Sequence, residues 1–354
     1  MEKKIIVVIR VDSSRLIGSG HLMRCLALAE RYRREGHEVN FICRDLAGNM
    51  AELVKAHRFP LHMLLRAADD ASLRGYEKWL TVSQQQDAAE TIEIVQKLGK
   101  VDRLVVDSYA IDCTWEKILR PYVGEIMVID DLANRHHDCN ILLDQNFYLD
   151  KDVRYKDLVP SHCRLLLGPR HALLRDEFFT ARKHLRKRDG FLRNILVFYG
   201  GVDATGETEK AVQALSLLRN EGMLQEVKVT IIVGAGNERK DKIAMLCHKA
   251  GYHYLEQVSN MAELMSEADL MLGAGGSTTW ERCFLGLPAI VTAVAENQFK
   301  ICEDCSQAGL IHYIGKWFDV TTDDLIAAIR HMVEPDNLRG LISTCQLDIG
   351  RRPL

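Results

Sequence analysis

The sequence contains no apolar stretch approaching the roughly 20 residues that a helix needs to cross a bilayer. A short apolar run at residues 5–11 is interrupted by Arg10, is followed by Asp12, and lacks the small-residue cleavage site of a signal peptide. We therefore expect a buried first strand at residues 5–11. We also expect a cytoplasmic protein with no membrane partner.

A strong charge of either sign is also missing. The formal net charge of the 354 residues is −3, and acidic and basic residues are mixed along most of the chain. Non-specific nucleic-acid binding needs a basic surface, so no nucleic-acid partner is expected.

The ten cysteines lack the short, repeated spacings of a disulfide framework, and no second pair completes a zinc site with Cys302 and Cys305. Several cysteines lie in apolar patterns, where a reduced thiol behaves as a small hydrophobe. We expect burial for Cys25, Cys43, Cys247 and Cys283.

Two nucleotide-binding fingerprints are absent as well. The sequence has no G-x-x-x-x-G-K-[ST] motif, and its first glycine turn lacks the spacing of a dinucleotide fingerprint. These absences argue against a P-loop ATPase.

The sequence does contain continuous apolar runs that alternate with segments of helical period, a pattern typical of parallel sheets covered on both faces. A chain of this length predicts one large or two medium domains. The predicted strands cover residues 5–11, 39–43, 103–107, 126–129, 195–199, 227–233, 270–272 and 289–292, and helices are predicted at 21–34 and 205–218.

A basic polar stretch at residues 181–190 interrupts this pattern and is interpreted as a solvated helix end or a linker. We predict an N-terminal domain at residues 1–180 and a C-terminal domain at 191–335, with an unassigned tail at 336–354. The predicted fold class is α/β, with two Rossmann-like parallel-sheet domains facing a cleft.

The first motif with chemical potential joins the first strand to the first helix. Asp12 is followed by Gly18 and Gly20, whose flexible backbones permit a tight turn close to a ligand. His21 follows at the helix start, where a purely structural turn would accept almost any residue. A structural and a catalytic role for this histidine remain about equally supported by the residues alone.

A second glycine turn follows the strand at 270–272. The segment contains Gly275, Gly276, Ser277 and Thr278, whose N–H and O–H groups suit phosphate oxygens. Glu281 lies one turn into the next helix, within reach of a ribose. A simple capping box between Thr278 and Glu281 is the structural alternative. Another glycine turn includes Gly201.

Polar residues follow other strands. Glu296, Asn297 and Gln298 suit recognition of sugar hydroxyl and acetamido groups, with an ordinary loop as the alternative. Asp107 and Tyr109 lie at the end of another strand and are expected to face the same cleft. The pair Asp130 and Asp131 is interpreted as one buried partner and one helix cap rather than a metal site. His136 and His137 are expected in a surface turn.

These residues resemble the UDP-sugar hydrolases of pseudaminic acid biosynthesis, the PseG family, which is related to GT-B glycosyltransferases. The resemblance is carried, in order along the chain, by RVDSSRLIGSGHLMRCLALA, VVDSYAID, IDDLANRHHDCNILLDQN, LLLGPRHALLRDEF, YGGVDATG and GAGGSTTWERCFLGLPAIVTAVAENQ. The first loop has Gly-Ser-Gly-His, where other members can carry a third glycine.

The resemblance implies a GT-B-like fold and a role for each motif. His21 would activate water, Tyr109 and Asn297 would lie beside the sugar, and Glu281 would hold the ribose. The turn at residues 275–278 would bind the diphosphate. The implied reaction takes UDP-2,4-diacetamido-2,4,6-trideoxy-β-L-altrose to UDP and the free sugar, with inversion and without metal or cofactor.

Two other functions are compatible with the sequence. A GT-B glycosyltransferase would pass the sugar to an acceptor alcohol, whereas a non-catalytic protein would bind the nucleotide sugar without turnover. The missing pair of catalytic carboxylates is no objection to hydrolysis, because UDP is a good leaving group that needs no general acid.

Overall fold

A computed structural model of the protein describes residues 4–66 and 72–349. The strands are β1 (Ile6–Val11), β2 (Glu38–Arg44), β3 (Leu61–Leu64), β4 (Val101–Asp107), β5 (Val123–Ile129), β6 (Ile141–Asp144), β7 (Arg164–Leu167), β8 (Asn194–Phe198), β9 (Lys228–Val233), β10 (His253–Glu256), β11 (Leu270–Ala274), β12 (Ala289–Ala293) and β13 (His312–Lys316).

The α-helices are α1 (Gly20–Arg34), α2 (Glu52–Ala56), α3 (Gln84–Leu98), α4 (Cys113–Leu119), α5 (Asp176–Arg182), α6 (Glu207–Asn220), α7 (Lys240–Ala250), α8 (Met261–Glu267), α9 (Thr278–Phe284), α10 (Phe299–Gln307), α11 (Thr322–Val333) and α12 (Pro335–Cys345). Short 3₁₀ helices lie at Gly75–Trp79, Arg120–Tyr122, Pro169–His171 and Glu296–Gln298.

Two parallel sheets organise the chain. The first has seven strands in the order β3-β2-β1-β4-β5-β6-β7, and the second has six in the order β10-β9-β8-β11-β12-β13. In both sheets the strand order reverses after the first strand, as in Rossmann folds. The loops that follow β1 and β4 are therefore neighbours at the carboxyl end of the first sheet. The loops that follow β8 and β11 are neighbours in the same way in the second sheet. The predicted α/β class with two Rossmann-like sheets is confirmed.

Both faces of the first sheet are covered by apolar side chains. On one face α1 packs through residues such as Leu22 and Cys25, and on the other Trp115 and Val95 pack from α4 and α3. The second sheet has its own core, which includes Ala211 of α6. Cys25, Cys43, Cys247 and Cys283 are all buried, as predicted. Among the residues described, no helix is long and apolar enough to span a membrane.

The chain divides into two compact units. The first runs to Asn146 and includes Asp150–Leu173, whereas the second comprises Phe147–Leu149 and residues 174–349 of the described chain. The change of unit thus lies ahead of the predicted domain end at residue 180, because α5 packs on α8 and α9 of the second unit. The segment predicted as a tail at 336–354 contains most of α12, which packs on α11 through residues such as Leu338.

The interpretation of residues 181–190 as a solvated linker is wrong for Arg188. This side chain is buried, and its guanidinium donates to the carbonyl oxygens of Ala268 (2.8 Å), Leu285 (2.8 Å) and Met265 (2.8 Å). Burial, together with the charge of Arg186, lowers the pKa of Arg188 to about 10. Arg188 therefore binds carbonyl groups that end α8 and α9, which composition alone did not indicate.

Candidate active site

His21 and Asp107 form the centre of a buried polar cluster in the first unit. The Nδ1 atom of His21 lies 2.6 Å from Oδ1 of Asp107, and both side chains are buried. His21 is in the first turn of α1, which begins one residue earlier than predicted, and Asp107 is the last residue of β4. Because β1 and β4 are parallel neighbours, the loop after β1 and the end of β4 meet at one sheet edge.

Arg24 fixes Asp107 from the other side. Its Nε and Nη2 atoms donate to Oδ2 and Oδ1 of Asp107, each at 2.6 Å, and its Nη1 lies 3.6 Å from Asp131. His21 and Arg24 are three residues apart on α1 and so share one helix face. Burial opposes ionisation of Asp107, but the charges and hydrogen bonds of Arg24 and His21 outweigh it and hold its pKa below the ordinary value.

An ionised Asp107 determines which nitrogen of His21 carries the proton. The carboxylate is an acceptor only, so Nδ1 must donate to it and Nε2 of the neutral ring is an acceptor. In the described part of the chain, Nε2 makes no hydrogen bond with protein. His21 is thereby arranged as a general base, with Asp107 as the orienting partner.

Tyr109 packs against this histidine. The two ring centroids are 4.7 Å apart at 82°, and the phenol is hydrogen-bonded to Asp131. Burial and the neighbouring charge of Asp131 raise the pKa of Tyr109 well above its ordinary value. The phenol is therefore protonated at neutral pH and can orient groups, but it does not serve as a base.

Asp12 has a different environment from the one expected. Its Oδ1 accepts from Nη1 of Arg10 (2.6 Å) and from the backbone N–H of Arg44 (2.6 Å), while Oδ2 is buried without a hydrogen bond. Arg10 and Arg44 in turn both donate to Asp87 of α3 at 2.7 Å. Asp12 thus joins the ends of β1 and β2, and none of these bonds goes to His21.

The loop between Asp12 and α1 is a closed turn. Gly18 has a left-handed φ of 79° and donates from its N–H to the carbonyl of Ser14 (2.8 Å), and the hydroxyl of Ser14 accepts from the N–H groups of Leu16 (3.2 Å) and Ile17 (3.0 Å). These amides are used inside the turn. Gly20 is the first residue of α1, so the N-terminal end of the helix lies next to His21.

The second predicted turn connects β11 to α9 in the second unit. Gly275 is required there, because a Cβ atom would lie 2.2 Å from Sγ of Cys302. Ser277 is exposed and precedes α9 without a side-chain capping bond, and Thr278 is half-buried. The alternative capping box is therefore not formed.

Glu281 is instead held by Arg175. Oε1 of Glu281 accepts from Nε of Arg175 (3.1 Å), and the same arginine pairs with Glu177 at 2.6 Å. Oε2 of Glu281 is buried and makes no hydrogen bond. Burial raises the pKa of Glu281 despite the opposing charge of Arg175. One oxygen of this carboxyl group is thus fixed, and the other is available to a ligand hydroxyl.

The predicted polar cluster after β12 forms the 3₁₀ helix Glu296–Gln298. Gln298 accepts from the N–H of Val294 (3.0 Å) and lies against the glycine turn, with its Nε2 3.8 Å from the Cβ position of Gly276. Glu296 is exposed and Asn297 is half-buried. The structure therefore brings Gln298 and the Gly275–Gly276 turn together.

Gly201 contributes to a second glycine turn of this unit. A Cβ atom on Gly234 would lie 2.2 Å from the carbonyl oxygen of Gly201, so the turns after β8 and β9 pack backbone against backbone. Asp203 then caps α6 by accepting from the N–H groups of Glu207 and Thr208, each at 3.0 Å.

Asp130 and Asp131 after β5 are both buried, although only one of the two was expected to be a buried partner. Asp130 binds Arg135 at 2.7 Å, and Asp131 accepts from Nδ2 of Asn146 (2.8 Å) rather than capping a helix. Of the two histidines expected in a surface turn, His136 is exposed as predicted. The prediction is wrong for His137, which is buried, with its Nδ1 2.7 Å from Oε1 of Glu116. Within residues 4–66 and 72–349, no group of three or more His, Cys, Asp or Glu side chains is arranged to hold a metal.

Sequence reasoning missed three residues of these clusters: Arg24, Arg175 and Trp79. Arg24 could have been found from its spacing of three from His21, which places both on one helix face. Arg175 lies in the quoted stretch LLLGPRHALLRDEF, but nothing local connects it to Glu281. Trp79 lies in none of the quoted stretches, and it meets His21 from a distant part of the chain.

Similarity to known proteins covers most of the chain. Residues 194–339 match the Glycosyltransferase family 28 C-terminal domain. The chain is 26% identical over 295 residues to the UDP-2,4-diacetamido-2,4,6-trideoxy-beta-L-altropyranose hydrolase of Campylobacter jejuni, covering 82% of this chain and 93% of that protein. It is also 26% identical over 205 residues to the spore coat polysaccharide biosynthesis protein SpsG of Bacillus subtilis, covering 57% and 58% of the two chains.

The fold has a clear counterpart among solved structures. MurG of Acinetobacter baumannii superposes with a TM-score of 0.63 over 98% of this chain and 96% of its own, at 15% identity. The chain therefore has a GT-B-like fold, and one of its sequence relatives is a named UDP-sugar hydrolase. Within that class, the similarity to the altropyranose hydrolase confirms the resemblance to the PseG family over most of the chain.

Proposed function

We propose that the protein hydrolyses the anomeric C–O bond of UDP-2,4-diacetamido-2,4,6-trideoxy-β-L-altrose, releasing UDP and the free sugar for pseudaminic acid-type biosynthesis in the cytoplasm. The observation that carries the proposal is the pair His21–Asp107, joined at 2.6 Å with Nε2 of His21 unbonded to described residues. A relative with this named activity shares 26% of its residues with the chain.

His21 is proposed to act on water. Nε2 accepts a proton from the water as its oxygen attacks C1 of the sugar, and the bond from C1 to the UDP oxygen breaks with its electron pair leaving on UDP. The imidazolium that forms is stabilised by Asp107, which Arg24 keeps ionised and oriented. A single displacement inverts the configuration at C1.

The second unit is proposed to bind UDP. Oε2 of Glu281 is a buried acceptor without a partner, which suits a ribose hydroxyl. The turn Gly275, Gly276, Ser277 and Thr278 would bind the diphosphate through its N–H and O–H groups. Gln298, which lies against that turn, and its neighbour Asn297 would contact the sugar.

The reaction is proposed to need no metal. UDP is a stable leaving group, and donors positioned on its diphosphate can stabilise the developing charge. Activity should therefore survive treatment with EDTA. Loss of activity with EDTA and its recovery with Mg²⁺ or Mn²⁺ would instead indicate a metal-dependent transfer.

Glycosyl transfer is the second candidate, favoured by the match of residues 194–339 to a glycosyltransferase domain. Both reactions use the same UDP site and differ in what attacks C1. Free sugar produced in water alone supports hydrolysis, whereas turnover only after addition of an acceptor alcohol supports transfer.

The test uses the UDP-sugar in ¹⁸O-water with the purified full chain. Hydrolysis at C1 places the label on the C1 hydroxyl of the sugar and none on UDP, and NMR at early times shows the inverted anomer. Label in the β-phosphate of UDP would mean attack at phosphorus and would overturn the proposal.

A further inference from the structure

The base His21 is bordered by an aromatic cluster that the proposed reaction has not used. Trp79 and Tyr76 belong to the 3₁₀ helix Gly75–Trp79, which lies between β3 and α3 in the first unit. The indole of Trp79 stacks on Tyr109, with ring centroids 5.2 Å apart at 27°, and meets His21 edge-on at 5.7 Å and 82°. Tyr76 packs against both Trp79 (4.9 Å) and Tyr109 (5.1 Å).

Exposure separates Trp79 from the residues it contacts. Tyr109 is 6% exposed and His21 is 8% exposed, whereas Trp79 is only partly buried. Part of the Trp79 side chain therefore remains solvent-accessible, and its ring contacts the histidine proposed as the base. A large, rigid aromatic surface loses little conformational entropy when a ligand packs on it.

The chemistry of this surface selects an apolar group. An indole face donates no hydrogen bond and accepts none of normal strength, so a hydroxyl group placed against it loses its bonds to water without replacement. A methyl group on the same face loses nothing and buries apolar surface. In the proposed 2,4,6-trideoxy substrate C6 is a methyl group, whereas a common hexose carries a polar hydroxymethyl group at that position.

We propose that Trp79 is a specificity-determining residue that packs on the C6 methyl group of the sugar and so favours 6-deoxy substrates over their 6-hydroxy counterparts. This inference rests on the proposed hydrolysis of a UDP-diacetamido-trideoxyhexose. Stacking on Tyr109 fixes the plane of the indole. Because the indole also contacts His21, a methyl group packed on it would lie close to the proposed base.

The experiment compares two substrates that differ only at C6, the 6-deoxy UDP-diacetamido sugar and the same sugar with a C6 hydroxyl. For the wild type we expect kcat/KM to favour the 6-deoxy substrate by about 10- to 100-fold, the range that an apolar pocket provides against an added hydroxyl. Trp79→Ala should reduce that ratio towards one, mainly through a higher KM for the 6-deoxy substrate.

Two further variants separate this role from a structural one. Trp79→Phe preserves an aromatic surface and should retain most of the preference, whereas Tyr122→Ala, which removes an exposed aromatic side chain of the same unit, should leave both rates unchanged. UDP affinity should be the same in all of them. If Trp79→Ala fails to fold, the test instead compares the tryptophan fluorescence of the wild type with that of Trp79→Phe. Addition of the 6-deoxy free sugar should change the emission of the wild type more than that of Trp79→Phe.

The outcomes distinguish the two proposals. A wild type that hydrolyses neither substrate overturns the proposed function itself. A wild type that hydrolyses both substrates equally well, or a Trp79→Ala variant that keeps the full preference, overturns the role of Trp79 and leaves the hydrolysis intact.

Discussion

Asp107, the last residue of β4, accepts the hydrogen bond from Nδ1 of His21 at 2.6 Å and also receives two hydrogen bonds of 2.6 Å from Arg24. The side chain of Asp107 is completely buried. A buried anion with three charge-assisted or ring N–H contacts is held in one orientation, and it holds the imidazole in one tautomer. This relationship leaves Nε2 as the proton-accepting nitrogen of the neutral ring.

Replacement of Asp107 by Asn should lower kcat by about 100- to 10,000-fold. An amide can donate to Nδ1, which favours the tautomer with the proton on Nε2 and removes the acceptor that faces water. The measurement is kcat and the dissociation constant of UDP, with the exposed Asp45→Asn as a control. Unchanged kcat in a folded Asp107→Asn protein would contradict the orienting role.

His21→Ala should abolish turnover while UDP affinity stays close to the wild-type value. Loss of a general base typically costs about 100- to 10,000-fold, and the proposed UDP contacts belong to the other unit. Added imidazole should restore part of the activity, because it can occupy the space of the lost ring. His57→Ala, at an exposed histidine paired with Glu30, is the matched control. A His21→Ala variant with near-normal kcat would contradict the role of His21 as general base.

Glu281→Ala should weaken binding of UDP and of the UDP-sugar alike. The ribose contact is common to both, and a hydrogen bond to a charged group contributes about 1.5–3 kcal/mol, which corresponds to roughly 10- to 150-fold in the dissociation constant. Titration calorimetry measures it. Glu177→Gln is the control, because Glu177 pairs with the same Arg175 while its Oε2 accepts from the N–H of Ala262. Equal losses in both variants would mean that the effect comes through Arg175.

Asp144 should make stability depend on pH. Burial, reinforced by the nearby Asp131, raises the pKa of Asp144 to about 8. The folded protein then keeps a proton that the unfolded chain releases near pH 4, so stability falls as pH rises between these values, by at most about 1.4 kcal/mol per pH unit from this group.

Asp144→Asn should remove this dependence, because an amide is neutral at every pH. The free energy of unfolding from denaturant titrations at pH 5.5 and 7.5 should fall less in the variant than in the wild type. Asp152→Asn, at an exposed aspartate, supplies the comparison. An identical fall in Asp144→Asn and wild type would show that Asp144 ionises in the folded protein as it does in the unfolded chain.

The sequence by itself determined the local structure and indicated many residues of the candidate site. Apolar runs such as those at 5–11 and 227–233 predicted strands, and β1 and β9 lie there, because burial on both faces of a parallel sheet demands continuous apolar residues. Glycine turns marked the ends of strands. The position of His21 at a helix start and of Glu281 one turn into another followed from the same local rules.

Only the tertiary structure decided which partners these residues meet. Asp107 is 86 positions from His21, and Arg175 is 106 positions from Glu281, so no local pattern connects either pair. The strand order places the ends of β1 and β4 side by side, and that order depends on the packing of the whole sheet rather than on any one segment. The burial of His137 and Arg188, the network around Asp12 and the stacking of Trp79 on Tyr109 arise in the same way, because each depends on groups that the fold brings together from distant parts of the chain.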